Sequence, residues 1–565
     1  MHVSAETKAA HLRRFLLPTL AAVGVAVLMT WPLAQRLGSV GRTGAPMNSS
    51  GWTGANGDGL FSLWNVAWVS RTIVADPLNL FDANIFYPHR KSLAYSEANL
   101  LSGVLGAPVW WATRNPYATL NFVNLLAFAS AYLCAWMLIT HLSQDQGAAY
   151  IGAAFFAFCP YVFAHTPHVQ LLWTAGLPLS MLMLHRIADE PTPRRGIALG
   201  LALLLQALAC AYYGIFAALM VGYTLVFFTV SRSYLRNASW WTSIGTAAAV
   251  SILGVAPVLF PYLGIQQDEG FRRSLEDSIR YSANAASYLA SSARAHTWLL
   301  DSISGWPHWT DVVFPGFGAI FFGLAGAVIA SVGIRRGNWD RETTLLYGLL
   351  GVLAFWASFG PNAGLYTVLF KIPMFSFLRA PVRLGIVVVL CLSVLAGFGL
   401  RRLLDAAGGR RHWAAAALTF AALAELAIVP FQWDRALVPP AAYQVLTRLP
   451  KGPLAEFPFY GGRVAWHLHT QYMVFSTSHW MPMLNGYSDH TPAAFRRESI
   501  VLDSFPSNDS FRILQKARVR YVGVHWDMFG PRAAEIRQRL EPYLPYLRAL
   551  ASDERMTLYE IIGFP

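Results

Sequence analysis

Charge is what this sequence holds least of. Only 13% of its 565 residues are Asp, Glu, Lys or Arg, against about 25% in soluble proteins. The shortage is local: Ile197–Val230, Gly245–Leu263 and Leu384–Leu400 contain no acidic or basic residue. A helix of a soluble domain keeps one polar face, whereas apolar runs of about 18 or more residues are membrane spans. A single soluble enzyme, a disordered chain and a fibrous repeat are excluded. Cysteine is scarce as well. Cys134, Cys159, Cys210 and Cys391 all lie inside apolar segments and read as small buried hydrophobes. The hydrophilic regions hold none, so no disulfide framework shapes them. The sequence also lacks a Gly-x-Ser-x-Gly elbow, a Walker loop, a Gly-x-Gly-x-x-Gly strand unit and a Cys-x-x-Cys pair, so nothing points to ATP or a soluble nucleotide sugar as a direct substrate.

What is present is a ladder of apolar segments. The first follows His11-Leu12-Arg13-Arg14 and runs to about Leu33. It has no convincing small-x-small cleavage site and reads as a retained helix rather than a signal peptide. Ten more lie near 118–140, 149–164, 171–187, 197–211, 215–230, 243–263, 314–333, 343–359, 384–403 and 413–430. The expected fold is therefore an all-α polytopic membrane bundle of about eleven transmembrane helices. Within 197–230 the break is placed at Ala211-Tyr212-Tyr213-Gly214. The net charge of +13 supports this count. Arg186, Arg194, Arg195, Arg232, Arg236, Arg335, Arg336, Arg341, Arg401, Arg402, Arg410 and Arg411 fall in connections on one side, while those around 165–170 and 212–214 have no Lys or Arg. The positive-inside rule then puts the N-terminus in the cytoplasm and the C-terminus outside, in a bacterial plasma membrane. No basic stripe interleaves with aromatics, so nucleic acid is not an expected partner.

Four sizeable regions face outward: 34–117, 264–313 and 360–383 within a membrane unit of residues 1–430, and a tail of 431–565. The tail is expected to be a separate α/β domain packed on the membrane face. Ala455–Phe459, Val519–Trp526 and Thr557–Ile562 read as its strands, and Arg532–Leu540 as a helix. The first outer loop carries the most chemistry. Gly57-Asp58-Gly59 turns tightly and exposes the Asp58 carboxylate. Trp64 and Trp68, four residues apart, predict an amphipathic helix lying in the membrane interface. Phe86-Tyr87-Pro88-His89 and Ser92-Leu93-Ala94-Tyr95-Ser96-Glu97 follow. Elsewhere, Ala164-His165-Thr166-Pro167-His168-Val169-Gln170 sits at an outer helix junction. His165 and His168 read either as metal ligands lacking a third partner or, preferably, as acceptor or phosphate contacts. Phe377-Leu378-Arg379-Ala380-Pro381-Val382-Arg383 places two arginines four apart. Asn485, Tyr487, Asp489 and His490 form a polar cluster in the tail, read as a solvated loop in preference to one facing the membrane unit.

An opening helix, a long outer loop with an acidic residue near its start, some ten further spans and an outer C-terminal domain resemble the GT-C superfamily of polytopic glycosyltransferases. The loop order Gly-Asp-Gly, Trp-Asn, Phe-Tyr-Pro, Ser-Leu-Ala-Tyr-Ser-Glu is similar to that of bacterial GT-C-like proteins. So are the Arg379–Arg383 stretch and Leu484-Asn485-Gly486-Tyr487-Ser488. The resemblance implies that Asp58, in the place of the family's first-loop acidic residue, acts in catalysis. Many members have two adjacent acidic residues there; this chain has Asp58, with Asp76, Asp82 and Glu97 further on. The implied reaction is inverting transfer of a sugar from a polyprenyl-phosphate donor to an extracytoplasmic glycan, lipid or protein.

Such transfer needs a base at the acceptor hydroxyl and cations at the departing phosphate. Asp58 is the candidate base, with Glu97 assisting it or orienting the acceptor. Arginine forks match phosphate oxygens, so Arg379 and Arg383 are candidates for the lipid phosphate; snorkelling to headgroups is an equal alternative. Arg272, Arg273 and Arg280 are weaker candidates of the same kind. Trp64, Asn65, Tyr95, His165, His168 and Gln170 complete the expected substrate contacts. No cofactor is expected, and the chain supplies no evident metal ligand set. A transporter of lipid-linked sugars would show intramembrane charges and repeated halves, which this asymmetric layout lacks apart from Glu425. A non-catalytic assembly protein is the third reading.

Overall fold

The computed structural model describes residues 5–42, 57–270, 274–306, 311–332, 337–372, 375 and 378–565. Arg272, Arg273, Arg335, Arg336, Phe377 and the side chains of Arg13 and Arg14 lie outside the described residues.

Each of the eleven apolar segments is helical over most of its described residues, with 171–187 interrupted at 173–175 and 413–430 ending its helix at Leu426. Among the described residues, six stretches are long and apolar enough to cross a membrane: Pro116–Ser143, Gln146–Ala164, Val169–Asp189, Ala211–Ser231, Ala238–Gln267 and Pro381–Ala406. Phe15–Met29, Leu100–Thr113 and Phe317–Ser331 are shorter apolar helices. The protein is a multi-pass membrane protein, mostly helical. Helices Phe317–Val332 and Gly385–Ala406 meet at paired glycines: a Cβ on Gly326 would lie 2.0 Å from the Leu395 carbonyl oxygen. Small residues that let backbones touch replace the hydrophobic effect as the adhesive inside a membrane. At one end of the bundle arginines clamp neighbouring helices. Arg232 grips Glu342 at 2.8 Å, Arg401 donates to the Ser143 carbonyl at 2.7 Å, and Arg411 joins Asp145 and Asp405.

The break inside 197–230 is shorter than the expected four-residue turn. Helix Pro193–Ala209 gives way to Ala211–Ser231 at the single extended residue Cys210, φ −157° and ψ 114°. Ala211-Tyr212-Tyr213-Gly214 stays helical because the Glu97 carboxylate accepts the Ala211 N–H and caps the new helix from another segment.

The tail builds a four-stranded sheet from β1 (Leu454–Phe457), β2 (Tyr521–His525), β3 (Leu547–Ser552) and β4 (Met556–Ile561), in the order β1-β2-β4-β3. β1 and β2 run parallel and the other pairs antiparallel. Three strands match the expected ones; β3 has an exposed, mixed face that hides its periodicity. The tail does not stand apart from the first loop. Met483 N–H donates to the Asn84 carbonyl, Phe86 N–H to Asn485 and Tyr87 N–H to Met483, at 2.8–3.2 Å. One apolar core takes Trp64, Trp68, Ile85 and Phe86 from the loop with Phe457, Phe459, Met483 and Tyr472 from the tail.

That shared core corrects the expected interfacial helix. Asp58–Ala75 is helical, but Trp64 is 0% and Trp68 7% exposed. Trp64 donates to Asn84 Oδ1 at 3.0 Å and Trp68 to the Leu80 carbonyl at 2.9 Å, with Trp68 packed on Trp480. An i, i+4 pair defines an apolar stripe without saying whether lipid or protein covers it. Here protein does.

Asn485 holds the joint from inside. Its amide donates to the Glu456 carbonyl at 2.9 Å and accepts the Glu456 N–H at 2.8 Å, and it is fully buried. Asn485→Ala leaves two buried backbone groups unpaired, at about 1–3 kcal/mol each. The expected outcome is a lower thermal transition in detergent and faster proteolysis within 431–565.

Candidate active site

Asp58 owes its place to the glycine before it. Gly57 has φ +71°, and a Cβ there would lie 2.8 Å from the His467 carbonyl oxygen. The left-handed residue turns the chain into helix Asp58–Ala75, so Asp58 sits at its first position, where the helix dipole favours a carboxylate. The 165–168 connection is then tied to this helix, because Ser62 Oγ donates to the Pro167 carbonyl at 2.8 Å. That tie sets His168 Nε2 3.1 Å from Asp58 Oδ2. From the tail, Tyr487 donates its hydroxyl to Asp58 Oδ1 at 3.0 Å. Burial pushes the Asp58 carboxyl up, but the hydrogen bond and charge of His168, the Tyr487 hydrogen bond and the charge of Arg379 outweigh it. The net effect holds Asp58 below the usual carboxylate range. Burial and then the Asp58 charge push the Tyr487 phenol up, which keeps it a donor.

His165 has a different state. Its Nδ1 lies 2.8 Å from the Tyr161 carbonyl. Burial, then the charge of His168, pulls it down to about 3, with the Tyr161 carbonyl opposing. The ring is neutral at physiological pH, Nδ1–H donates, and Nε2 keeps its lone pair.

Glu97 moves in the opposite direction from Asp58. Burial raises its carboxyl, the Ala211 N–H and the Arg383 charge pull it back only in part, and Asp489 adds repulsion. Asn65 donates to the Glu97 carbonyl at 3.1 Å and is fully buried, so it positions this segment. Tyr95 is buried against Phe86 and His490. The Gln170 Oε1 is buried without a hydrogen-bond partner among the described residues.

The two arginines do not share a helical face, since Arg379 precedes a 3-10 turn at Pro381–Leu384. Tyr212 joins them instead: its hydroxyl accepts the Arg379 N–H at 3.0 Å, and Arg383 lies 4.3 Å over its ring. Arg379 Nη1 is paired with Asp489 Oδ1 of the tail at 2.8 Å, and its guanidinium covers the Tyr281 ring. Arg379 acts on Asp58, and Arg383 on Glu97 and His165. Asp58, Glu97, His165, His168, Arg379 and Arg383 thus share one electrostatic neighbourhood. Trp64 lies in the core behind it, its indole bonded to Asn84. Sequence reasoning preferred a solvated loop for Tyr487 and Asp489, which face this site, and passed over Tyr212. Among the described residues, no three His, Cys, Asp or Glu side chains converge to hold a metal ion.

The sequence profile of DUF6311, described as a domain of unknown function, matches residues 64–424. The chain belongs to the DUF6311 family. No curated protein matches it in sequence. In structure, this DUF6311 protein is similar to the arabinofuranosyltransferase AftD from Mycobacteria, with TM-score 0.60 and 14% identity over 98% of this chain and 40% of AftD. A variant of AftD gives 0.59 at 16% identity, over 96% and 41%. The Archaeoglobus fulgidus oligosaccharyltransferase gives 0.49 at 15% identity, over 96% and 72%. The DUF6311 chain spans two-fifths of AftD's length. The likeness is one of fold.

A carboxyl held below its ordinary value in the folded state adds stability above its unfolded pKa, about 3.9 for Asp, and loses it as pH falls through the folded value. The thermal transition of the wild type should therefore exceed that of Asp58→Asn near neutral pH. The gap should close as pH is lowered below about 4, as scanning fluorimetry at several pH values would record.

Proposed function

We propose that this protein is an inverting glycosyltransferase that moves a sugar from a polyprenyl-phosphate donor to an acceptor on the outer face of the membrane. The observation that carries this reading is an ionised carboxylate, Asp58, braced on both oxygens and within the field of Arg379 at the end of a membrane span. AftD, whose fold the chain shares, is by name a sugar transferase. The bundle is read as eleven spans with the N-terminus inside and the tail outside, in a bacterial plasma membrane.

In the proposed step the acceptor hydroxyl attacks the anomeric carbon, and the bond to the donor phosphate breaks. A carboxylate with a depressed pKa is a weak base toward a free hydroxyl. It becomes a competent proton acceptor once the hydroxyl oxygen bonds to carbon and turns acidic. His168 and Tyr487 keep Asp58 charged and aimed while that happens. Arg379 and Arg383 receive the phosphate, whose charge rises as the bond breaks. Glu97, which holds its proton more readily, and neutral His165 orient the acceptor. Two carboxyls pushed in opposite directions are the pattern of divided acid and base roles.

Asp58→Asn in membranes supplied with a polyprenyl-phosphate sugar should lower transfer at least about a hundredfold; unchanged transfer removes Asp58 as the base. The donor phosphate must also displace Asp489 from Arg379. Asp489→Asn should therefore lower the donor KM about threefold to tenfold, as loss of a part-exposed competing ion pair allows, and Arg379→Gln should raise it.

A further inference from the structure

The end of the bundle opposite the candidate active site holds a cavity that the proposed transfer does not use. The span 169–189 begins beside His168 and ends at Asp189, and its main helix, Gly176–Asp189, alone runs about 20 Å at ~1.5 Å per residue. There a cavity of about 600 Å³ opens between that helix end and the start of helix Pro193–Ala209. Its lining is rich in charge, and the charges do not cancel. Asp189 is held by His141 at 3.2 Å and Arg232 at 3.7 Å. Glu190 is held by Arg195 at 2.5 Å, and Arg195 is further occupied by the carbonyls of Arg186 and Glu190. Both acids are thus matched inside the protein. Arg186 and Arg194 also line the cavity; among the described residues neither makes an ion pair within 4.0 Å, Arg186 feeling the Asp189 charge only at longer range.

Three features converge on these two guanidinium groups. The 17-residue helix Pro193–Ala209 starts at the cavity mouth, adding its positive dipole end. Met183 and Ala198 supply an apolar wall. From Arg194 the same helix carries Ile197, Leu201 and Leu205, each nearly half exposed, at i, i+4, i+8. That is one continuous apolar stripe leading away from the charge along the helix axis. A charged seat at the head of an exposed apolar stripe matches an amphiphile with an anionic head and an acyl tail.

We infer that this cavity binds the phosphodiester headgroup of an anionic phospholipid, with Arg186 and Arg194 on the phosphate and an acyl chain along Ile197, Leu201 and Leu205. Arginine forks suit phosphate oxygens, and the matched acids leave the two forks free to take them. The site is independent of the transfer reaction.

The test uses the full chain in mixed micelles of phosphatidylcholine with a minor fraction of phosphatidylglycerol, followed by mass spectrometry of the lipid retained after gel filtration. The wild type should retain phosphatidylglycerol in excess of its micelle fraction. Arg186→Gln with Arg194→Gln should cut that excess roughly tenfold. The Arg186→Lys, Arg194→Lys pair, which keeps the charge, should restore part of it and separates site loss from misfolding. Arg410→Gln, on an exposed arginine at the same end but outside the cavity, should retain the excess. Equal retention by the Gln pair overturns the site. An equal fall in Arg410→Gln reduces it to general attraction at a basic face and overturns it too. Displacement of the lipid by millimolar inorganic phosphate would make the ligand a free phosphate and overturn the lipid assignment.

Discussion

The candidate active site depends on a short stretch of strand-like pairing between residues 84–87 of the first outer loop and 483–485 of the tail. Neither partner is strand by itself. The pairing works because Leu454 bridges to Met483 at the sheet edge and the Asn485 amide continues the ladder onto the Glu456 backbone. An open sheet edge with unmet donors would be costly to bury, and the loop meets that need. Two residues beyond the pairing the chain delivers Tyr487 to Asp58, and two further on Asp489 to Arg379. A domain about four hundred residues downstream thereby supplies part of the first loop's carboxylate environment.

The membrane bundle was largely legible because its signal is compositional. Every apolar segment became helix over most of its length, and two of the arginines expected at one end clamp that end, Arg232 on Glu342 and Arg411 on Asp145. What escaped depends on contacts between distant segments. The Trp64–Trp68 stripe is visible in sequence, but its covering surface, including Trp480, is not. The helix break at Cys210 is capped by Glu97 from a loop more than a hundred residues earlier, and no local pattern announces it. Asp58 stood out through its two glycines, whereas Tyr212 lay within an uncharged run and could be recognised only once Arg379 and Arg383 were seen to meet on it. Tyr487 and Asp489 were seen as polar, yet polarity alone favours solvent.

The electrostatics of the site follow from burial being compensated unequally. Both carboxyls lose water, which alone would raise both. Asp58 is repaid by a helix N-terminus, an imidazole, a phenol and an arginine. Glu97 receives the backbone N–H groups of Ala211 and Tyr212 and a cation, too little to offset its burial and the repulsion of Asp489. Similar residues thus acquire opposite proton affinities through partners drawn from separate parts of the chain. The histidines divide in the same spirit, one on a carboxylate and one donating to a carbonyl.

The Arg379–Asp489 pair gives this arrangement its logic. An isolated guanidinium at the end of a span would be open to any headgroup phosphate, and headgroups vastly outnumber a specific donor. A carboxylate already on that fork raises the threshold for every anion equally, so it cannot by itself select among them. In the proposed reaction, selection then has to come from groups that reward only the right ligand: the neighbouring cation Arg383, and the Asp58 and Glu97 carboxyls, which would meet a sugar hydroxyl and not a bare headgroup. Because Asp489 and Tyr487 share one loop, displacing the first disturbs the support of the second. In the proposed reaction, occupation of the phosphate seat would reach the support of Asp58 through the two-residue step from Asp489 to Tyr487.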